Sequence, residues 1–143
     1  MSLLEDLTSR DASRIWSSAC AVRRLRDPEE LALLIDNLEN IKASTQGVPL
    51  GGALRANASH LSFAIRKLEH VKSSQDCLCL LYTMDDLYDP AKEAADAFVR
   101  ILSTAHLEGG FVDYYECECA VCGAKYRVEE REYHYTWWAW RKI

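Results

Sequence analysis

Three of the chain's six cysteines crowd into CECAVCGAKY, residues 117–126. Cys117 and Cys119 are two apart, so in a strand both side chains leave the same face. Val121-Cys122-Gly123 reads as a turn that carries Cys122 over to join them. Three thiolates so placed are ligands for zinc, whose structural sites close with four ligands in a tetrahedron. The fourth must come from elsewhere in the chain. His134 lies about a full strand from the turn, on the order of 30 Å in an extended run. Cys77, or Cys79 beside it in CLCLLY, is the better candidate. The competing reading makes these residues small buried hydrophobes, a common use of unpaired cysteine.

Other chemistry is absent from the sequence. There is no H-E-x-x-H pair, no phosphate-binding G-x-x-x-x-G-K and no G-x-S-x-G elbow. His60 and His70 fall on different turns of one helix, and Cys20 sits within an apolar helical stripe. The expectation is a protein that is not an enzyme, in which any zinc is structural.

Charge points to a binding role. The formal net charge is -5, from 17 Lys+Arg against 22 Asp+Glu. That disfavours nucleic acid as the ligand, since gripping phosphates calls for a basic field. Between Asp85 and Glu118 nine acids face two bases, Lys92 and Arg100, and tyrosines are interleaved with them. Acids mixed with aromatics suit a basic protein partner, with Asp85, Asp86, Tyr88, Asp89, Tyr114, Glu116 and Glu118 as the contact residues. The one short basic stretch is Arg23, Arg24 and Arg26. The aromatic run EYHYTWWAW, 132–140, lacks the basic neighbours of a base-stacking surface and reads instead as a packed sheet face.

These residues need elements to hold them. The chain has the length of one domain, 1–143, with a helical part over about 9–104 and a β-meander over about 111–142. Ile15, Ala19 and Val22 mark a first helix. Asp27-Pro28 starts a second through an N-cap and a proline at the first helical position, and Leu31, Leu34, Ile35, Leu38 and Ile41 supply its apolar face. Leu54, Ala58, Leu61, Ile65 and Leu68 mark a third. Asp89-Pro90 starts a fourth whose buried side is Ala91, Ala94, Ala95, Phe98, Ile101 and Leu102. The segment Cys77–Tyr82 is short and reads either as a buried strand or as one turn of helix, with the strand favoured. After Gly109-Gly110 the period becomes two, with Tyr115, Cys117 and Cys119 on one face and Val112, Tyr114, Glu116 and Glu118 on the other. Tyr126 and Val128 share one parity and Tyr133, Tyr135 and Trp137 the opposite, which predicts a turn or bulge near 129–132 and a three-stranded meander. The class is α+β.

No apolar run approaches the roughly 20 residues of a membrane span. The start, MSLLEDLTSRD, carries acids where a secretory signal is basic. The expected location is the cytoplasm, where cysteines stay as thiols or metal ligands.

Cys119-Ala120-Val121-Cys122-Gly123 resembles one knuckle of the zinc-ribbon proteins, without the second C-x-x-C that a ribbon supplies. A small acidic chain with a helical body that ends in YYECECAVCGAKYRVEEREYHYTWWAW is similar in type to the immunity proteins of bacterial contact-dependent inhibition and polymorphic-toxin systems. That resemblance implies an inhibitor that covers the active or substrate surface of a cognate toxin domain, commonly a basic nuclease. The alternative is a zinc-stabilised nucleic-acid or regulatory binding module.

Overall fold

Asp11, Asp27 and Asp89 each stand one residue before a helix and accept a backbone N–H from its first turn, from Arg14, Glu29 and Ala91 respectively. Such caps satisfy amides that have no partner inside the helix, which is why those helices start where they do. The computed structural model describes residues 2–143. The chain is α+β and divides into two compact units, Met1–Gln75 and Asp76–Ile143.

The first unit is helical: α1 Leu3–Leu7, α2 Ala12–Arg24, α3 Pro28–Asp36, α4 Leu38–Thr45 and α5 Ala58–Ser73. Ile15, Ala19 and Val22 of α2 are buried with Phe63, Ala64 and Leu68 of α5, and Leu31, Leu34, Leu38 and Ile41 complete the core. The helix expected to run from Pro28 through Ile41 is broken at Asn37, whose side-chain amide donates to the Leu33 carbonyl. Local side-chain bonding of this kind is how asparagine competes with helix. Leu54 belongs to the loop before α5 and is exposed, not part of the third helix's buried face. In that loop Gly52, at φ +119°, leaves no room for a Cβ against the Arg55 carbonyl and the Asn57 amide.

Arg23 is not part of an open basic patch. It is buried, its Nη1 lies 3.0 Å from His60 Nδ1, and its guanidinium covers the Phe63 ring. Lys67 is also buried, and its ammonium donates to the carbonyls of Arg23 (2.8 Å) and Leu25 (2.7 Å) at the C-terminal end of α2. A cation there meets both orphan carbonyls and the negative end of the helix dipole. Lys67→Met keeps the apolar stem but removes the donors, and is expected to cost about 2–3 kcal/mol. Urea unfolding of the variant checks this; a loss below about 0.5 kcal/mol would contradict the capping role.

The second unit begins with a 3-10 helix, Leu78–Met84, followed by α6 Pro90–Ala95 and the strands β1 Val99–His106, β2 Val112–Cys119, β3 Lys125–Tyr133 and β4 Tyr135–Lys142. The strands form one antiparallel sheet in the order β1-β2-β3-β4. Several expectations fail here for identifiable reasons. The fourth helix stops at Ala95, because Ala97 takes φ +63° and the β-branched run that follows prefers a strand; Ile101 and Leu102 lie in β1 and are exposed, and so are Ala91 and Ala95 in the short helix that does form. The sheet therefore has four strands, not three. Of the two readings of Cys77–Tyr82 the favoured strand fails and the helical one holds: three residues per turn put Cys79 and Tyr82 on one side of the 3-10 helix, both buried. The parity switch is not a break near 129–132 either. β3 runs unbroken to Tyr133, and the turn falls on His134 at φ +64°, pairing Tyr133 with Tyr135.

One face of the sheet carries Cys117, Cys119, Tyr126, Val128 and Trp140, all buried. Tyr82 of the 3-10 helix stacks on Trp140 at 4.2 Å between centroids, and Tyr126 and Tyr88 meet Tyr82 edge-on. Of the aromatic tail only Trp140 is core wall; Tyr133 is exposed, and Tyr135, Trp137 and Trp138 are half-buried, so the expected packed face is confined to one ring. The other face is polar, with acids and bases paired across strands, Glu118 with Arg100, Glu116 with Arg127 and Glu129 with Arg141, and along β3, Glu129 with Arg131.

Candidate metal centre

Cys77, Cys79, Cys119 and Cys122 bring their sulfurs within 4.8 Å of one another. Two short pieces of backbone deliver them. Cys77 and Cys79 come from the start of the 3-10 helix, where Leu80 N–H donates to the Cys77 carbonyl and fixes the first turn. Cys119 ends β2, and Cys122 sits in the turn to β3. That turn is closed by Gly123 N–H to the Cys119 carbonyl (3.0 Å) and Cys119 N–H to the Ala124 carbonyl (2.8 Å), with Gly123 at φ +76°. Val121 N–H points at Cys119 Sγ, 3.4 Å away. This is the knuckle anticipated from C-x-x-C-G, with its amide aimed at a sulfur.

The spacing suits an ion and not a bridge. Cys77 Sγ is 3.7 Å from Cys119 Sγ, and Cys79 Sγ is 3.5 Å from Cys122 Sγ. Four sulfurs about 2.3 Å from a central zinc stand about 3.8 Å apart along the edges of a tetrahedron. A disulfide needs about 2.05 Å, and all six cysteines are free. The four cysteines can therefore bind a metal.

The surroundings treat the thiols differently. Cys122 is exposed, and its pKa is lowered to about 7, chiefly by a hydrogen bond from the Ala124 backbone. Cys79 is buried 3.0 Å from the Tyr126 hydroxyl, and desolvation pushes both groups up. Cys77 is raised as well, first by desolvation. Burial raises these thiols, and a bound cation would act in the opposite direction. In the metal-free chain Cys122 is expected to alkylate first, with iodoacetamide reacting faster as pH rises through about 7. Mass mapping that finds Cys79 or Cys117 labelled before Cys122 would contradict this.

Cys117 is the correction among the expected ligands. It shares a face with Cys119 but lies one pleat repeat, about 7 Å, further along β2. It is fully buried, its thiol is pushed up to about 12 by desolvation, and it stands outside the sulfur group. Cys79 takes the fourth place, and Cys77 is a member as expected. The signal for Cys79 was the C-x-C of CLCLLY, which mirrors the C-x-C at 117–119.

The residues expected to contact a partner lie apart. Tyr88 is core, and its carbonyl accepts from Trp140 Nε1. The carbonyl of Asp86 accepts from Trp138 N–H, so the Asp85–Asp89 stretch runs beside β4. Asp85 accepts from Leu87 N–H, and Asp89 caps α6. Tyr114, Glu116 and Glu118 stand on the polar face of β2, where Arg127 covers the Tyr114 ring and both glutamates are paired with arginines. Glu93, another acid of the tract, is buried and accepts from the Tyr82 hydroxyl at 2.6 Å.

No helix among the described residues is long and apolar enough to cross a membrane. The four cysteines come from the turn after β2 and from a second short C-x-C segment, and they lie close enough together to bind a metal. No protein family matches the chain, and neither does any curated protein or solved structure.

Proposed function

We propose that this chain is a non-catalytic binding protein of the cytoplasm whose sheet unit is held together by one structural zinc ion. The observation that carries the reading is the closure of the cysteine set. Four thiols within 4.8 Å of one another are enough ligands to close a tetrahedral site, whereas catalytic zinc sites keep one position for water or substrate. An all-sulfur donor set favours zinc over the hard cations that take oxygen ligands. A reducing compartment fits six free thiols.

The partner proposed is a basic protein, in the manner of an immunity protein that covers a toxin domain. Net charge supports it: at -5 the chain repels phosphate backbones and attracts cationic surfaces. The test is kinetic. Association with a basic nuclease domain should slow as salt is raised through the range where the Debye length falls from about 30 to about 8 Å. Asp85→Lys with Asp86→Lys should slow it further. An on-rate indifferent to salt and to both reversals would remove the basic partner from the account.

A further inference from the structure

The sheet's inner face is covered only in part. Near the knuckle it lies under the 3-10 helix and Tyr88; towards the β1–β2 turn it opens into a cavity of about 270 Å³. Leu107, Phe111, Val112 and Thr136 wall it, and Glu130 and Glu132 supply carboxylates. Arg131 lines it too, but its guanidinium is committed to Asp113, Glu129 and the Asp113 carbonyl. Val112 reaches this side because a bulge between the Ala105 and His106 pairings shifts the alternation of β2.

Glu130 is held differently from the acids of the polar face. Its Oε1 accepts from Trp138 Nε1 (2.9 Å) and from the Tyr115 hydroxyl (3.3 Å), both neutral donors. Desolvation, then the Glu130 charge, raises the Tyr115 hydroxyl to about 12. Two fixed donors on one oxygen orient the carboxylate without neutralising it. Among the described residues no cation pairs with Glu130 or Glu132, whereas Glu116, Glu118 and Glu129 all have arginines. The volume is just below the roughly 300–1,000 Å³ of pockets that take whole small-molecule ligands. It suits one long side chain with an apolar stem and a charged head, the build of lysine and arginine.

We propose that this cavity binds a lysine or arginine side chain of a basic polypeptide partner, with the head on Glu130 and Glu132 and the stem along Leu107, Phe111 and Val112. The proposal rests on the reading of the chain as a binding protein for basic partners, and it names the contact.

The experiment titrates the intact zinc-loaded chain with a short alternating glycine–arginine peptide, and with its citrulline counterpart, which is neutral and nearly the same shape. The readout is the indole N–H resonance of Trp138, which is bonded to Glu130. Expected is a saturable shift with the arginine peptide and none with citrulline. Glu130→Gln with Glu132→Gln should weaken binding about tenfold, equivalent to about 1.4 kcal/mol. Glutamine still accepts from Tyr115 and Trp138, so the fold is kept. Phe111→Ala, at a side chain already 73% exposed, should weaken binding without touching charge. Glu116→Gln with Glu118→Gln makes the same change in net charge on the other face and should leave binding unchanged. Equal weakening by both glutamate pairs, equal binding of citrulline, or no saturable shift would overturn the proposal. So would self-association that Phe111→Ala disperses, since the occupant would then be a second copy. Loss through the Glu116/Glu118 pair alone would overturn this site and leave the basic-partner reading standing; no binding of the arginine peptide by any form, together with a salt-independent on-rate for the nuclease domain, would sink both.

Discussion

Chelation of the proposed zinc is expected to unfold the Asp76–Ile143 unit. A unit of fewer than about 70–80 residues rarely gains more than about 3–5 kcal/mol from a single apolar core. Structural zinc on thiolate ligands contributes on the order of 10–16 kcal/mol near neutral pH, so its removal exceeds what the core can hold. The cage also places buried thiols beside one another, and Cys79 and Cys119 are each about 2% exposed or less. Hydrogen exchange after treatment with a strong chelator should show the amides of β2 and β3 losing protection, and added zinc should restore it. Acid should act in the same direction, because protons compete with the metal for the sulfurs. Unchanged protection in β2 and β3 after complete chelation would mean that the aromatic core alone holds the sheet.

Trp140→Ala is expected to cost about 3–5 kcal/mol, the usual loss for a large buried aromatic. Trp140 is 4% exposed, stacks on Tyr82, meets Tyr126 edge-on at 5.7 Å and donates its indole N–H to the Tyr88 carbonyl. Truncation therefore opens a cavity and strands a carbonyl at once. Trp140→Phe should recover part of the loss, since it restores a stacking ring but not the donor. Trp137→Ala should cost less than about 1 kcal/mol, because Trp137 is half-buried on the polar face opposite Arg131. Denaturant unfolding of the zinc-loaded forms reads all three. A Trp140→Ala loss within about 0.5 kcal/mol would place that ring on a surface and contradict the packing described.

Local rules located what local chemistry decides. Asp27-Pro28 and Asp89-Pro90 announced helix starts because an N-cap needs only its own turn. The knuckle was legible because Cys119, Cys122 and Gly123 act within one tight turn. Properties set by distant residues were not legible. Ile101 and Leu102 have helical spacing, yet they lie in an edge strand because β2 supplies the pairing partner. Cys117 and Cys119 have identical periodicity, and only the position of the 3-10 helix decides which joins Cys77 and Cys79. Charge counting found an acidic tract but could not see that cross-strand arginines neutralise Glu116 and Glu118 while leaving Glu130 on the inner face without one.

Zinc on Cys77, Cys79, Cys119 and Cys122, as proposed, is open to elemental analysis of protein purified without added metal, with the parent chain, Cys79→Ser and Cys117→Ser measured side by side. About one zinc per chain is expected in the parent and in Cys117→Ser, and a large loss of zinc in Cys79→Ser. A metal-free parent chain, or zinc that depends on Cys117 and not on Cys79, would contradict it.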